Sequence, residues 1–195
     1  YSGAAWFRRS VLVPAAWRNR RVALRFEGVH THGRVWVNGA EAGRHDCGFL
    51  PFEFPVHSLL RFGRRNVVAV RVDGLTQLGD IPGDRIGWRP CAGILREAGL
   101  TATSFVRIVA VRVRAEPADG GGALSVEGDI ENGTPAARSL RLEASLTPAR
   151  GRSRVTFRGR DRSLAPAAAG VLKLAGTVPG AEPWSPDSPA LCTLR

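Results

Sequence analysis

No apolar run in this chain approaches the roughly 20 residues that a membrane-spanning helix needs. That excludes a helical membrane span. Cysteine is scarce. Cys47, Cys91 and Cys192 are odd in number and widely spaced, which excludes a disulfide framework and a zinc knuckle. Free thiols in a reducing, cytoplasmic compartment are the expectation. Lysine is almost missing. Of 28 Lys and Arg residues only Lys173 is lysine, beside many Ala and Gly residues. That skew matches the codon usage of a GC-rich genome. The formal charge of +11 is spread along the chain, with 16 basic and 8 acidic groups in residues 1–108 and 12 and 9 in residues 109–195. The sequence therefore does not point to nucleic acid as a partner. Helical periodicity is nearly absent, which excludes a helical fold. These residues carry no signal-peptide pattern, and their silence on targeting is uninformative. The sequence enters a patterned segment directly at Tyr1, and reads as a piece of a longer protein.

What is present is alternation. Hydrophobic residues make up 44% and charged residues 23%, an ordinary globular balance. Val22, Leu24 and Phe26 alternate with Arg21, Ala23 and Arg25, and Val68, Val70 and Val72 with Ala69 and Arg71. Val111 and Val113 alternate with Arg112 and Arg114. Leu124, Val126 and Ile130 oppose Ser125, Glu127 and Asp129. Leu140, Leu142 and Leu146 oppose Arg141, Glu143 and Ser145. Short period-two runs between Gly, Pro, Asn and Asp clusters predict an all-β protein made of sandwiches. A long irregular stretch from about Gly74 to Gly99 precedes a predicted strand at Ile108–Ala115. This predicts a boundary between residues 108 and 109, with a β-sandwich on each side and the smaller one second. "APAAAG" at 165–170 reads as a turn with a poorly defined strand.

Between Glu27 and Phe54 runs "EGVHTHGRVWVNGAEAGRHDCGFLPFEF". It holds His30, His32 and His45 near Asp46 and Cys47. Asn38-Gly39 lies between two β patterns and supplies the positive φ angles of a type I′ turn. A hairpin carrying exposed or loop-packed histidines is expected. A metal needs three or four converging ligands, and nothing in the spacing makes these residues converge. No metal and no cofactor are expected.

This stretch, continued to Val56, resembles the N-terminal sugar-binding domain of glycoside hydrolase family 2, which holds β-galactosidases, β-glucuronidases and β-mannosidases. "AAWFRRSVLVPAAW" at 4–17 is similar to that domain's opening strand. "RRNVVAVRVDG" at 64–74 resembles its later strand pair, and "GWRPCAGILREAGL" at 87–100 its closing signature. The second half, ending in "PWSPDSPALCTLR", is similar to the family's immunoglobulin-like domain. The resemblance implies a jelly-roll, galactose-binding-like sandwich at 1–108. It implies an immunoglobulin-like sandwich at 109–195, truncated at its last strand.

The resemblance also implies a retaining glycosidase. Its two catalytic carboxyls lie about 5–5.5 Å apart on a (β/α)8 barrel of about 250 residues. The 195 residues do not hold that barrel, so no catalytic residue is expected among them, and this chain alone is expected to be inactive. Its expected partner is a carbohydrate substrate bound together with the barrel; a homo-oligomer is compatible, a membrane is not expected. In the family, an acid six residues before the glycine of a "GI" pair reaches toward substrate. Here the pair is Gly93-Ile94 and the sixth position back is Gly87, a departure from the pattern. The expected substrate contacts are therefore Asp84, three residues further upstream, with Trp88 and Arg89. A free-standing carbohydrate-binding module and an anion-binding β protein are the rival readings.

Two further groups need placing. Trp36, out of phase with Val35 and Val37, is expected to pack against another element. Trp184 is expected to pack at the second domain's end or on the barrel. Arg150, Arg152, Arg154, Arg158, Arg160 and Arg162 occupy even positions. They are expected to share one solvated strand face while Val155 and Phe157 turn to the core.

Overall fold

A computed structural model of the chain describes residues 3–80, 83, 87, 91–148 and 154–195. The protein is all-β; its only helical turns among the described residues are two short 3-10 segments, Ala15–Trp17 and His57–Leu59. The chain divides into two compact units, Tyr1–Ser104 and Phe105–Arg195.

The first unit contains β1 (Ala4–Leu12), β2 (Arg21–Phe26), β3 (Val29–His30), β4 (His32–Val37), β5 (Ala40–Asp46), β6 (Phe52–Pro55), β7 (Arg65–Asp73), β8 (Gly93–Ile94) and β9 (Ala98–Thr103). One antiparallel sheet runs in the order β1-β7-β4-β5, a second in the order β6-β2-β9, and β3 pairs with β8. Alternation delivers the core. Val22, Leu24 and Phe26 on β2, Val35 and Val37 on β4, and Val70 and Val72 on β7 are buried together. Each such side chain contributes roughly 1.5–3 kcal/mol relative to exposure. The β4–β5 hairpin turns at Asn38 (φ 53°) and Gly39 (φ 89°), with Val37 opposite Ala40. Both central φ angles are positive, as a type I′ turn requires.

The second unit contains β10 (Val106–Ala118), β11 (Gly121–Asn132), β12 (Arg138–Leu140), β13 (Glu143–Pro148), β14 (Val155–Arg158), β15 (Arg162–Leu164), β16 (Ala168–Pro179) and β17 (Cys192–Leu194). Its sheets are β10-β11-β16, β14-β13-β17 and β12-β15. Leu124, Val126 and Ile130 meet Leu172, Leu174, Ala144, Leu146 and Phe157 in its core. The result is a smaller sandwich, of immunoglobulin-like architecture, after the first.

The structure differs from the sequence-based strand pattern at four places. Residues 98–103 form β9 and pair along the whole of β2, although the sequence reads as irregular up to Gly99. The segment after "APA" becomes a 12-residue strand that pairs with all of β11. Leu140 and Leu146 stand on β12 and β13, which belong to different sheets. The arginine row is broken. Gly159 leaves the strand to donate its N–H to the carbonyl of Leu142, so Arg158 and Arg162 lie on strands of different sheets. Arg158 pairs with Glu143 at 3.3 Å and Arg162 donates to the Val171 carbonyl at 2.7 Å. Arg150 and Arg152 lie outside the described residues.

Candidate functional site

The three histidines of the Glu27–Phe54 stretch point to different places. His30 is 3% exposed, so it is neither exposed nor in a loop. Its ring receives Phe49 at 5.2 Å between centroids, and its Nδ1 lies 2.8 Å from the Thr31 hydroxyl. A Cβ at Gly48 would collide with the His30 ring, so only glycine lets the chain pass there. His45 stacks on Phe52 at 3.9 Å. Its Nε2 has no hydrogen-bond partner among the described residues. Burial pushes both of these histidines below the ordinary value of 6.5. The free thiol of Cys47 is half-buried. Among the described residues no group of three or more such side chains converges as a metal site would.

His32 faces the other way. Period two puts it on the opposite side of β4 from the buried Gly33 and Val35. Its Nδ1 lies 3.1 Å from an Asp46 carboxylate oxygen and its Nε2 3.1 Å from Asp80. Asp46 reaches it because the hairpin register sets His32 opposite Asp46. Asp80 reaches it from the chain segment that follows β7. That carboxylate also accepts the Gln77 N–H at 2.6 Å, and the Asp80 N–H returns to the Gln77 carbonyl at 3.1 Å. The Asp80 side chain is thereby largely buried, whereas Asp46 is exposed. With Arg34, Arg44, Arg71, Gln77 and Leu78 these residues line a polar hollow of about 490 Å³.

The hollow sits at the foot of a loop closed by its own ends. Gly74 leaves β7 and donates to the Gly3 carbonyl at 3.2 Å. A Cβ on Gly74 would collide with the Cβ of Ala92, so the two ends of segment 74–92 touch. Beyond Ala92, Gly93 and Ile94 pair with His30 and Val29, and Leu95 donates to the Gly28 carbonyl at 2.9 Å. Gly93 has φ 133°, a region that favours glycine. The loop thus springs from one point of the sandwich, next to His32. Asp84, Trp88 and Arg89 belong to this segment and lie outside the described residues. Asp80 is the carboxylate anchoring the loop's foot.

Of the other singled-out residues, Trp36 packs on Trp6 at 5.1 Å. Trp184 is 59% exposed at the edge of a hollow in the second unit, so of its two expected places it does not take the one within that domain.

Residues 1–103 match the model of "Glycosyl hydrolases family 2, sugar binding domain". The chain belongs to glycosyl hydrolases family 2. This family 2 chain is 34% identical over 103 residues to a β-galactosidase of Thermoanaerobacter pseudethanolicus, covering 51% of the chain and 14% of the relative. It is 34% identical over 84 residues to a β-glucuronidase of Paenibacillus borealis, covering 43% and 14%. Across its whole length it shares the fold of Bacteroides uniformis β-glucuronidase, with a TM-score of 0.82, 24% identity, and coverage of 24% of that chain. It likewise shares the fold of a β-D-glucuronidase of Dictyoglomus thermophilum, with a TM-score of 0.74, 23% identity and coverage of 34%. The chain therefore spans a minor share of each protein it resembles. It corresponds to their sugar-binding-type sandwich and the sandwich that follows.

Proposed function

We propose that these two sandwiches form the non-catalytic N-terminal part of a retaining glycosidase of β-galactosidase or β-glucuronidase type. In this reading they support a catalytic barrel. The loop between Gly74 and Ala92 shapes one wall of its substrate pocket, with Asp84, Trp88 and Arg89 as substrate contacts. The observation that carries the reading is the closed foot of that loop. Its ends meet at Gly74 and Ala92, and His32 fixes Asp80 beside them. A segment anchored at one point can reach away from the sandwich without disturbing it. Loops on a rigid β scaffold commonly carry binding residues for that reason. The carbohydrate-acting names of the relatives support the substrate class.

The test is kinetic, in the enzyme that joins this chain to its barrel. Asp84→Asn and Arg89→Gln should each lower kcat/KM at least about tenfold, roughly 1.4 kcal/mol of transition-state binding, toward one of β-galactoside, β-glucuronide or β-mannoside. Unchanged kinetics toward all three would overturn the assignment of the loop. The 195-residue chain alone, titrated with galactose, glucuronate and mannose, should show no NMR shifts in residues 74–80 or 91–97. Saturable shifts there would favour an autonomous carbohydrate-binding module instead.

A further inference from the structure

The outward side of the sheet β1-β7-β4-β5 carries a second feature, which shares Arg34 and Arg71 with the hollow at the loop's foot. Trp6, Arg71 and Arg34 lie in one cross-strand row, and Arg8, Ala69 and Trp36 in the next. The indole rings of Trp6 and Trp36 lie 5.1 Å apart, tilted by 33°. Trp6 is nevertheless 63% exposed, so the pair presents an open aromatic surface. Ala69, on the strand between them, adds almost no bulk. The frame is charged and partly pre-set. The Arg34 guanidinium lies 5.2 Å from the centre of the Trp36 ring and donates to Glu41 at 2.5 and 3.3 Å. Arg71 donates to Asp73 at 2.9 Å. Arg8 is exposed and makes no ion pair among the described residues.

We infer that this face is a carbohydrate-binding site for a pyranose that carries a carboxylate, presented on an oligosaccharide. The apolar C–H face of the ring covers the Trp6–Trp36 surface and removes it from water. The Arg34–Glu41 pair offers a donor and an acceptor to adjacent hydroxyls, already oriented by their mutual hydrogen bonds. Arg8 supplies the uncommitted cation for the carboxylate, in the geometry that suits a guanidinium. Three arginines, Arg8, Arg34 and Arg71, in the rows that carry the two rings favour an occupant that is both flat-faced and anionic. The site shares Arg34 and Arg71 with the hollow at the loop's foot, but Trp6, Trp36 and Arg8 do not line that hollow, so their response separates this site from the function proposed above.

The experiment is an NMR titration of the 195-residue chain, read at the tryptophan indole N–H signals. The probes are an oligogalacturonate, a neutral galacto-oligosaccharide and a single-stranded oligonucleotide, each at low and at physiological salt. Saturable shifts of the Trp6 and Trp36 signals with the oligogalacturonate, persisting at physiological salt, are expected. Trp6→Ala should weaken binding at least about tenfold, as loss of one buried aromatic face implies. Arg8→Gln should remove the preference over the neutral sugar while leaving Trp6 and Trp36 responsive. Equal binding of the neutral sugar by the unaltered chain, equal binding of the oligonucleotide, or no shift at millimolar oligogalacturonate would each overturn the proposal. Because Trp6 is on the surface, Trp6→Ala should retain the wild-type dispersion of amide signals, and Arg8→Gln tests the site independently.

Discussion

Asn38 and Asn66 hold the turn of one hairpin to the start of the neighbouring strand. The Asn38 side-chain amide donates to the Asn66 side-chain oxygen at 2.7 Å and to the Leu59 carbonyl at 2.8 Å, while its own oxygen accepts the Val67 N–H at 3.0 Å. Asn66 is 1% exposed and is fully engaged. Its oxygen also takes the Arg61 N–H, and its amide donates to the carbonyls of Arg61 and Arg64. Removing this side chain strands several buried backbone groups. Such a loss costs about 2–4 kcal/mol, well above the net worth of one hydrogen bond. Asn66→Ala should therefore lower the denaturant midpoint of the first unit by a corresponding amount. Asn38→Gly, which keeps the positive φ but loses the hydrogen bonds, should cost less.

The foot of the loop offers a second prediction. Asp80→Asn leaves the shape but weakens the carboxylate's hold on His32 and on the Gln77 N–H. His32→Ala removes the post itself. Both should speed hydrogen exchange at the Gln77 and Asp80 amides while leaving the β7 amides unchanged. Exchange unaltered at both amides would mean that other contacts fix the segment. Gly74→Val, which drives side-chain atoms into Ala92, should show the same local loosening.

Stability should also respond to pH in a window set by histidine. Burial holds His30 and His45 below the ordinary 6.5, so the unfolded chain takes up these protons first as the pH falls. Their contribution is fully present above about pH 6.5 and is lost as the pH falls toward their lowered folded-state values. The melting temperature of the first unit should drop between pH 7.5 and 5. A His45→Phe chain, which keeps a ring against Phe52 without a titrating nitrogen, should drop less. A drop confined to pH below about 4.5 would assign the effect to carboxylates instead.

In the second unit, β10 predicts association. Its residues Val111 and Val113 are 50% and 52% exposed, yet Val113 lies directly opposite the buried Val126 and so faces the core side of its sheet. A half-covered apolar face on an edge strand recruits other strands. The isolated chain should sediment as concentration-dependent oligomers, and Val111→Lys with Val113→Glu should shift it toward monomer.

How far the sequence discloses all this varies with the element. The Asn38-Gly39 turn and the buried valines of β2, β4 and β7 are legible because hydrophobic period and turn chemistry act over a few residues. β9, "AGLTAT", and β16, rich in Ala and Gly, are not. Their strand character comes from pairing with β2 and β11; the small side chains of β9 and of the first residues of β16 give little apolar rhythm, and the alternation of Leu172, Leu174 and Val178 covers only the rest of β16. The even-numbered arginines show the converse failure, a perfect rhythm interrupted when Gly159 turns away. The His32–Asp80 contact spans 48 positions, and no local pattern announces it. The Trp6–Trp36 contact depends in the same way on two strands that meet only through β7.

The meeting of Gly74 with Ala92 bears on how such a protein changes over generations. The entropic cost of closing a loop grows only with the logarithm of its length. Residues can therefore be added or deleted between those two points while the sandwich beneath stays as it is. Specificity can be rewritten in length as well as in composition, and kinship among such chains is best traced through the strands that frame the loop.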